Sequence, residues 1–184
     1  GTGRVTSFLE HYANQSTGVD VSETMLAEAQ KKLSKTSFVK ADITNESALA
    51  GRKFNLITAF RFFLNAEPSL RANVIKSLVP HLEDDGYLIF NNHHCLNSPW
   101  IKLYNWRHLK KDPTGFYKVM TIGEMNELVD SVGLKIVKIY PVGYFRPPKI
   151  RIPDFVNSAI EKIAFNIPLF DHLSESPIAV CKKK

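Results

Sequence analysis

The stretch TGVDVSETMLAEAQKKL, Thr17 to Leu33, decides how this chain is read. Its first part is a short apolar run that breaks at an acid, Asp20. Its second part repeats apolar residues at helical spacing (Met25, Leu26, Ala29 and Leu33) behind Ser22, a residue suited to cap a helix. A strand that ends in a carboxylate and passes at once into an amphipathic helix is the unit of an α/β sheet. What matters next is whether that unit recurs, and what its strand ends carry.

It recurs along the chain. Val5, Phe8, Leu9 and Tyr12 fall at i, i+3, i+4 and i+7, which predicts a helix over 4–13 entered from GTGRV, residues 1–5. SFVKAD (37–42) is a second strand that ends in an acid. KFNLITAF (53–60) is a near-continuous apolar run, the mark of a strand covered on both faces. Leu70, Val74, Ile75, Leu78 and Leu82 predict a helix whose last turn Pro80 bends. DDG (84–86) is expected to turn the chain into a buried strand, YLIFNN (87–92). Thr121 and Glu124 form a capping-box pattern ahead of Ile122, Met125, Leu128, Val129 and Val132, with Gly133 as the stop. LKIVKIYPVG (134–143) reads as a strand, 154–166 as an apolar helix and SPIAVCK (176–182) as the closing strand. This alternation predicts a single domain over 1–184, a three-layer α/β sandwich with a mostly parallel sheet. Two stretches break the alternation, near 93–120 and 144–175. They are expected to be lid-like insertions over a ligand crevice.

Composition bounds the function class. At 184 residues, 44% hydrophobic and 23% charged, the chain resembles an ordinary soluble domain. No run approaches the roughly 18 apolar residues of a membrane span, and no basic-then-apolar leader pattern opens it. Cys95 and Cys181 form no metal or redox spacing, so free thiols in a reducing compartment are expected, the cytoplasm by default. The formal charge of +6 is scattered, and its one dense run, Lys182 to Lys184, suits a solvated tail. KLYNWRHLKK (102–111) mixes aromatics with bases in a way that suits a phosphate or an anionic surface, but no nucleic-acid partner is expected.

In open α/β sheets ligands sit at the carboxyl ends of the strands. Read in order, those ends are Gly1-Thr2-Gly3, Asp20, Asp42, Phe60-Arg61 and Asn91 to His94. Glycines permit close backbone approach, and a helix start favours a negative group. An acid after a strand can accept both hydroxyls of a ribose, and Asp20 lies 17 residues beyond Gly3, near the spacing of a dinucleotide fingerprint. Asp42 can accept from an adenine amine. Singly these signals are weak, because Asp20 also suits a helix start and Asp42 a turn. Their order points to an adenosine-containing cofactor.

GTGR, GVDVSETMLAEAQKK, FVKADI, FNLITAFRFFLN, SLVPHLEDDGYLIF and MTIGEMNELVDSVGLKIVKI, in that order, resemble the class I S-adenosylmethionine-dependent methyltransferases. The nearest variety is the small-molecule, ubiquinone-biosynthesis-like type, and the resemblance covers residues 1 to about 140 and the last strand. It implies a Rossmann-like fold, S-adenosylmethionine as cofactor and methyl transfer to a small-molecule acceptor. By resemblance Gly1 and Gly3 face the methionine end of the cofactor, and Asp20 holds the ribose. Val21 lies beside the adenine with Met25 nearby. Asp42 meets the adenine amine, Ile43 packs on the ring, and the backbone of Phe60 and Arg61 meets the amino-acid moiety. Asp84-Asp85-Gly86 replaces the family's usual Pro-Gly-Gly turn. The family's first strand, its terminal acid and its first loop glycine would all precede Gly1. The sequence is therefore expected to be N-terminally truncated, by about 40 residues or more, leaving two strands without a central neighbour.

On the acceptor side, His93 and His94 are the candidate general bases, and they read equally as polar residues at a strand exit. Arg61 is placed to orient an anionic substrate, or is simply a strand-end residue. His93-His94-Cys95 is not expected to bind metal, because adjacent residues do not readily enclose one ion. Trp100, Tyr104, Trp106, Phe116 and Tyr117, then Phe155, Ile160, Ile163, Phe165 and Phe170, suggest an apolar or lipid-like acceptor pocket, with core packing as the alternative. The helix at 154–166 also suits weak contact with a membrane surface. Two other readings stay open. One is a nucleotide-cofactor oxidoreductase, although no Tyr-x-x-x-Lys pair is evident. The other is a non-catalytic Rossmann-like binding module or an inactive fragment. The acceptor atom and the oligomeric state are not legible in the sequence.

Overall fold

The structure, a computed structural model, describes residues 1–45, 49, 51–63, 66–109, 120–143, 153–167 and 173–184, without the side chains of 105, 108 and 109. Its contacts divide it into two compact units, Gly1–Arg52 and Lys53–Lys184. The first unit holds α1 (Arg4–Leu9), β1 (Ser16–Asp20), α2 (Glu23–Gln30) and β2 (Thr36–Lys40). β1 and β2 pair in parallel from Ser16↔Thr36 to Asp20↔Lys40, which sets their carboxyl ends side by side. Ser22 caps α2 as expected, its Oγ accepting from the Met25 amide at 3.3 Å. Leu26, Ala29 and Leu33 are buried, but Met25 is 43% exposed, so it does not belong to the buried face that the periodicity assigned it. α1 stops at Leu9 rather than 13. Tyr12 is 77% exposed and contributes no burial that would extend the helix.

The second unit holds β3 (Phe54–Ala59), α3 (Pro68–Leu78), a 3-10 turn (Val79–His81) and β4 (Leu82–Asn91). After these come α4 (Pro99–Leu109), α5 (Ile122–Asp130), β5 (Leu134–Tyr140), α6 (Asp154–Phe165) and β6 (Ile178–Lys183). The four strands lie in the order β3-β4-β6-β5. β3, β4 and β5 run one way, as expected of a mostly parallel sheet. β6 is reversed against both neighbours, from Leu88↔Cys181 to Asn91↔Ile178 and from Leu134↔Lys183 to Tyr140↔Ile178. Reversal has a consequence for chemistry: the residues just ahead of β6 arrive at the carboxyl ends of β4 and β5.

Phe90, Ile75, Leu88, Met125, Leu134 and Val129 are the fully buried heart of this unit. Pro80 ends α3 in the 3-10 turn, and Leu82 is the first residue of β4 rather than the last of the helix. Asp84-Asp85-Gly86 does not precede the strand either. It lies inside β4, where pairing with β3 jumps from Phe54↔Leu82 to Leu56↔Tyr87. Gly86 is required there, because a Cβ would stand 3.0 Å from the Glu83 carbonyl and 3.1 Å from that of Asn55. Leu56 is 41% exposed, so β3 is not covered on both faces along its length. The capping box forms: Thr121 Oγ1 accepts from the Glu124 amide at 3.1 Å, and Glu124 Oε2 from the Thr121 amide at 2.7 Å. Gly133, at φ 77, stops α5.

The stretch 93–120 contains a regular helix, α4, where irregular chain was expected. Residues 110–119, 144–152 and 168–172 lie outside the described residues, and with them Lys110, Lys111, Phe116, Tyr117 and Phe170. Cys95 and Cys181 are free and buried; burial pushes the Cys181 thiol up to about 12, which keeps it protonated and inert at neutral pH. Among the described residues no helix is long and apolar enough to cross a membrane.

Candidate functional site

In the first unit, the parallel pairing of β1 with β2 places the two sequence-predicted acids at adjacent strand ends, and the Ala41 amide donates to the Asp20 carbonyl at 3.2 Å. Asp20 Oδ2 accepts from the Gly1 backbone nitrogen, and Oδ1 from the Ser22 amide at 2.8 Å. The glycine loop and the ribose-type acid, 19 positions apart, are thus brought together. Partial burial pushes the Asp20 carboxyl up. Hydrogen bonds from the Gly1 nitrogen and from the amides of Ser22 and Val21 outweigh it, and the net shift is below the ordinary 3.8. A carboxylate offers about four acceptor sites, so each Asp20 oxygen keeps capacity for one hydroxyl of a vicinal diol.

Asp42 Oδ1 accepts from the Thr44 amide at 2.9 Å and from its hydroxyl at 2.7 Å, and these bonds lower its pKa. Both bonds fall on one oxygen, which leaves Oδ2 to accept from a ligand amine. Val21 and Met25 are 63% and 43% exposed beside Asp20, and Ile43 is half-buried. Apolar side chains left open next to two ionised acids suit a purine with its ribose. The residues present therefore fit the adenosine part of S-adenosylmethionine.

Gly3 caps α1 at φ 74, and a Cβ there would stand 2.7 Å from Leu33 Cδ1 and 3.1 Å from Ala29 Cβ. Gly3→Ala is accordingly expected to destabilise the first unit through both backbone strain, about 1–2 kcal/mol, and overpacking, about 1–3 kcal/mol. Gly51 provides the control, since it has φ 70 with nothing within 4 Å of its Cβ position. Thermal melting should show a larger loss for Gly3→Ala than for Gly51→Ala. Equal losses would mean that the loop does not pack on α2 as described.

The second unit carries the other candidates. Arg61 follows β3 at φ 56, and its amide donates to Asn91 Oδ1 at 2.6 Å. Asn91 ends β4 and is buried, and its Nδ2 donates to Ser176 Oγ at 3.1 Å. His93 Nδ1 lies 3.3 Å from the same hydroxyl. His94 stands at φ 64, with its ring 4.2 Å from that of His93 and its Nδ1 3.4 Å from Glu175 Oε1. Among the described residues Arg61 and His94 are the non-glycine residues at positive φ. Each such conformation costs about 1–3 kcal/mol and collects at functional sites. Phe60 is half-buried beside Arg61, whose side chain is exposed.

Arg61, His93 and His94 are therefore gathered at the ends of β3 and β4, as the order of strand ends predicted. Glu175 and Ser176 were missed. The bonds of Ser176 to Asn91 and His93 span 85 and 83 positions, and Glu175 meets His94 across a similar distance in sequence, a separation at which no local pattern gives a signal. Two half-buried imidazoles, one facing a carboxylate, can take a proton from an acceptor group.

Residues 1–86 match the family model described as a methyltransferase domain. No curated protein matches the sequence. Among solved structures, the chain is similar to a magnesium protoporphyrin IX methyltransferase from Synechocystis with bound SAH. The two are 14% identical over 100% of this chain and 70% of that one, with a TM-score of 0.66. It is similar to a possible histamine N-methyltransferase from Thermotoga maritima, 16% identical over 100% and 78%, at 0.69. It is also similar to an S-adenosylmethionine-dependent methyltransferase from Clostridium acetobutylicum, 17% identical over 100% and 80%, at 0.62. At these identities the likeness concerns the fold.

Proposed function

We propose, for a chain whose residues 1–86 match the model of a methyltransferase domain and whose fold is similar to that of S-adenosylmethionine-dependent methyltransferases, that it methylates a small acceptor of apolar or lipid-like character. The observation that carries the reading is the pair of ionised acids, Asp20 and Asp42, at the adjacent carboxyl ends of β1 and β2, with the glycine loop held on Asp20. Asp20 takes the ribose hydroxyls and Asp42 the adenine amine. Val21, Met25 and Ile43 line the ring, and Gly1 and Gly3 meet the methionine end. The backbone of Phe60 and Arg61 meets the amino-acid moiety.

S-adenosylmethionine, when bound, supplies an electrophilic methyl group on a sulfonium. The chain's own work is to hold the acceptor atom in line with that methyl and to keep water away. Where the acceptor is a hydroxyl or an amine, His93 or His94 takes its proton. An apolar acceptor is supported by Trp106, Phe155, Ile163 and Phe165, which are 58%, 76%, 64% and 51% exposed on α4 and α6. The same residues of α6 support weak contact with a membrane surface. The stretches 93–120 and 144–175 act as lids in this reading, and the two free thiols favour the cytoplasm.

Calorimetric titration with S-adenosylmethionine and with S-adenosylhomocysteine tests the proposal, with NADPH alongside. Saturable binding of the first two and none of NADPH is expected. A protein that binds neither is no methyltransferase of this kind, and one that binds only NADPH is the oxidoreductase of the alternative reading.

A further inference from the structure

We infer that Glu175, just ahead of β6, is a positioning residue that fixes the tautomer of His94 and so makes that imidazole the proton acceptor for the methyl acceptor. The inference rests on the methyltransferase reading for its purpose, and on geometry within the second unit for its substance.

Glu175 is held on both sides by its own backbone. Its amide donates to the Gly143 carbonyl at 2.8 Å, and its carbonyl accepts from the Cys95 amide at 2.7 Å. Gly143, at φ 74, leaves its Cβ position 3.4 Å from the Glu175 Cβ, so the two chains run close together. The next residue repeats the arrangement: the Ser176 amide donates to the Val142 carbonyl at 2.9 Å, while its hydroxyl meets Asn91 and His93. The segment is thereby clamped between the exits of β4 and β5, which fixes where the Glu175 side chain starts. Its carboxylate points at His94 Nδ1, 3.4 Å away, from a side chain only 16% exposed; that of His94 is 30% exposed.

A carboxylate accepts and cannot donate. Facing Nδ1, it favours the imidazole that carries its hydrogen there, and the basic lone pair then lies on Nε2. The left-handed backbone of His94, at φ 64, is the second sign that the ring is held for a purpose other than local folding. The contact is looser than an ideal hydrogen bond, as such pairs often are before a substrate is present. In the transfer, the acceptor oxygen or nitrogen forms its bond to the methyl carbon as the carbon–sulfur bond breaks, and the sulfur leaves as a neutral thioether. The acceptor's proton passes to His94 Nε2. Glu175 faces the positive imidazolium until the proton is lost to water, and the ring returns to its starting form.

The experiment is a long-range proton–nitrogen correlation spectrum of the full chain labelled with nitrogen-15 in histidine, at a pH where His94 is neutral and without cofactor. His94 is assigned by comparison with His94→Gln. The wild-type protein should show the hydrogen of His94 on Nδ1. In Glu175→Leu it should shift to Nε2, while Glu175→Gln, which keeps an acceptor, should restore the wild-type pattern. Wild-type His94 protonated on Nε2 overturns the inference even if no variant folds, and so does an unchanged spectrum in a folded Glu175→Leu. Titration of the same samples with S-adenosylmethionine separates the two claims. Absent cofactor binding defeats the methyltransferase reading and leaves the tautomer result standing, whereas a wrong tautomer defeats only the role of Glu175.

Discussion

Phe90→Ala is expected to cost about 3–5 kcal/mol, the range for removing a buried aromatic ring, and to lower the melting temperature by roughly 6–20 °C. Phe90 is fully buried near the carboxyl end of β4, opposite Ala59 on β3 and Ala179 on β6. Both neighbours are alanines, so no adjacent strand side chain can swing in to fill the space. Phe63 stands edge-on to the ring at 5.2 Å and would lose that contact as well. Against a typical domain stability of about 5–15 kcal/mol, such a loss is large. It should also reach the site, because the next residue, Asn91, accepts from the Arg61 amide and donates to Ser176. Val137→Ala, on β5 and 46% exposed, should cost below about 1 kcal/mol and serves as the control. If Phe90→Ala unfolds outright, Phe90→Leu supplies a graded loss. Equal melting temperatures for Phe90→Leu, Phe90→Ala and Val137→Ala would show that β4 is not the core strand.

How much was legible in the sequence depended on how far apart the deciding atoms lie. The cap at Ser22, the capping box at Thr121 and Glu124 and the stop at Gly133 were all readable, because each is settled within three or four residues. Asp20 was readable as the acid that ends β1, whereas β2 stops at Lys40 and Asp42 lies two residues beyond it rather than at its last position. Asp84-Asp85-Gly86 misled for the opposite reason. Its local chemistry is that of a turn, but pairing with β3 absorbs it into β4 at a register jump that only the partner strand reveals. Met25 shares a helical stripe with Leu26 and Ala29, and yet, as part of the first turn of α2, it sits at the end of β1 rather than over it. Nothing in SPIAVCK tells the direction of the last strand. Its reversal is what carries Glu175 and Ser176 to the histidines, so these two residues were invisible until the sheet order was known.

Asp20→Ala is expected to weaken S-adenosylmethionine binding by roughly 10- to 150-fold, the equivalent of about 1.5–3 kcal/mol for a charge-assisted contact. The size follows from the state of the carboxylate. Its pKa lies below the ordinary 3.8, so it is an ionised, acceptor-only group across the neutral range. A depressed folded value means that whatever this charge contributes is present above the ordinary carboxylate range and is lost as the pH falls through the lower folded value. Wild-type affinity attributable to Asp20 should therefore be level from pH 7 to about 5. The competing account is that Asp20 serves only to start α2, since it accepts from the Ser22 amide at 2.8 Å. Ser22→Ala tests that account directly. It removes the cap on the Met25 amide, at a cost of about 1 kcal/mol of stability, without touching the carboxylate. If Asp20 holds the ribose, Ser22→Ala lowers the melting temperature with affinity nearly intact, whereas Asp20→Ala loses affinity beyond its effect on melting. Asp20→Asn should fall between wild type and Asp20→Ala, because it keeps one acceptor oxygen without the charge. Equal affinities for the wild type and Asp20→Ala would move the ribose site away from β1. The pairing of the glycine loop with Asp20 would then be structural alone.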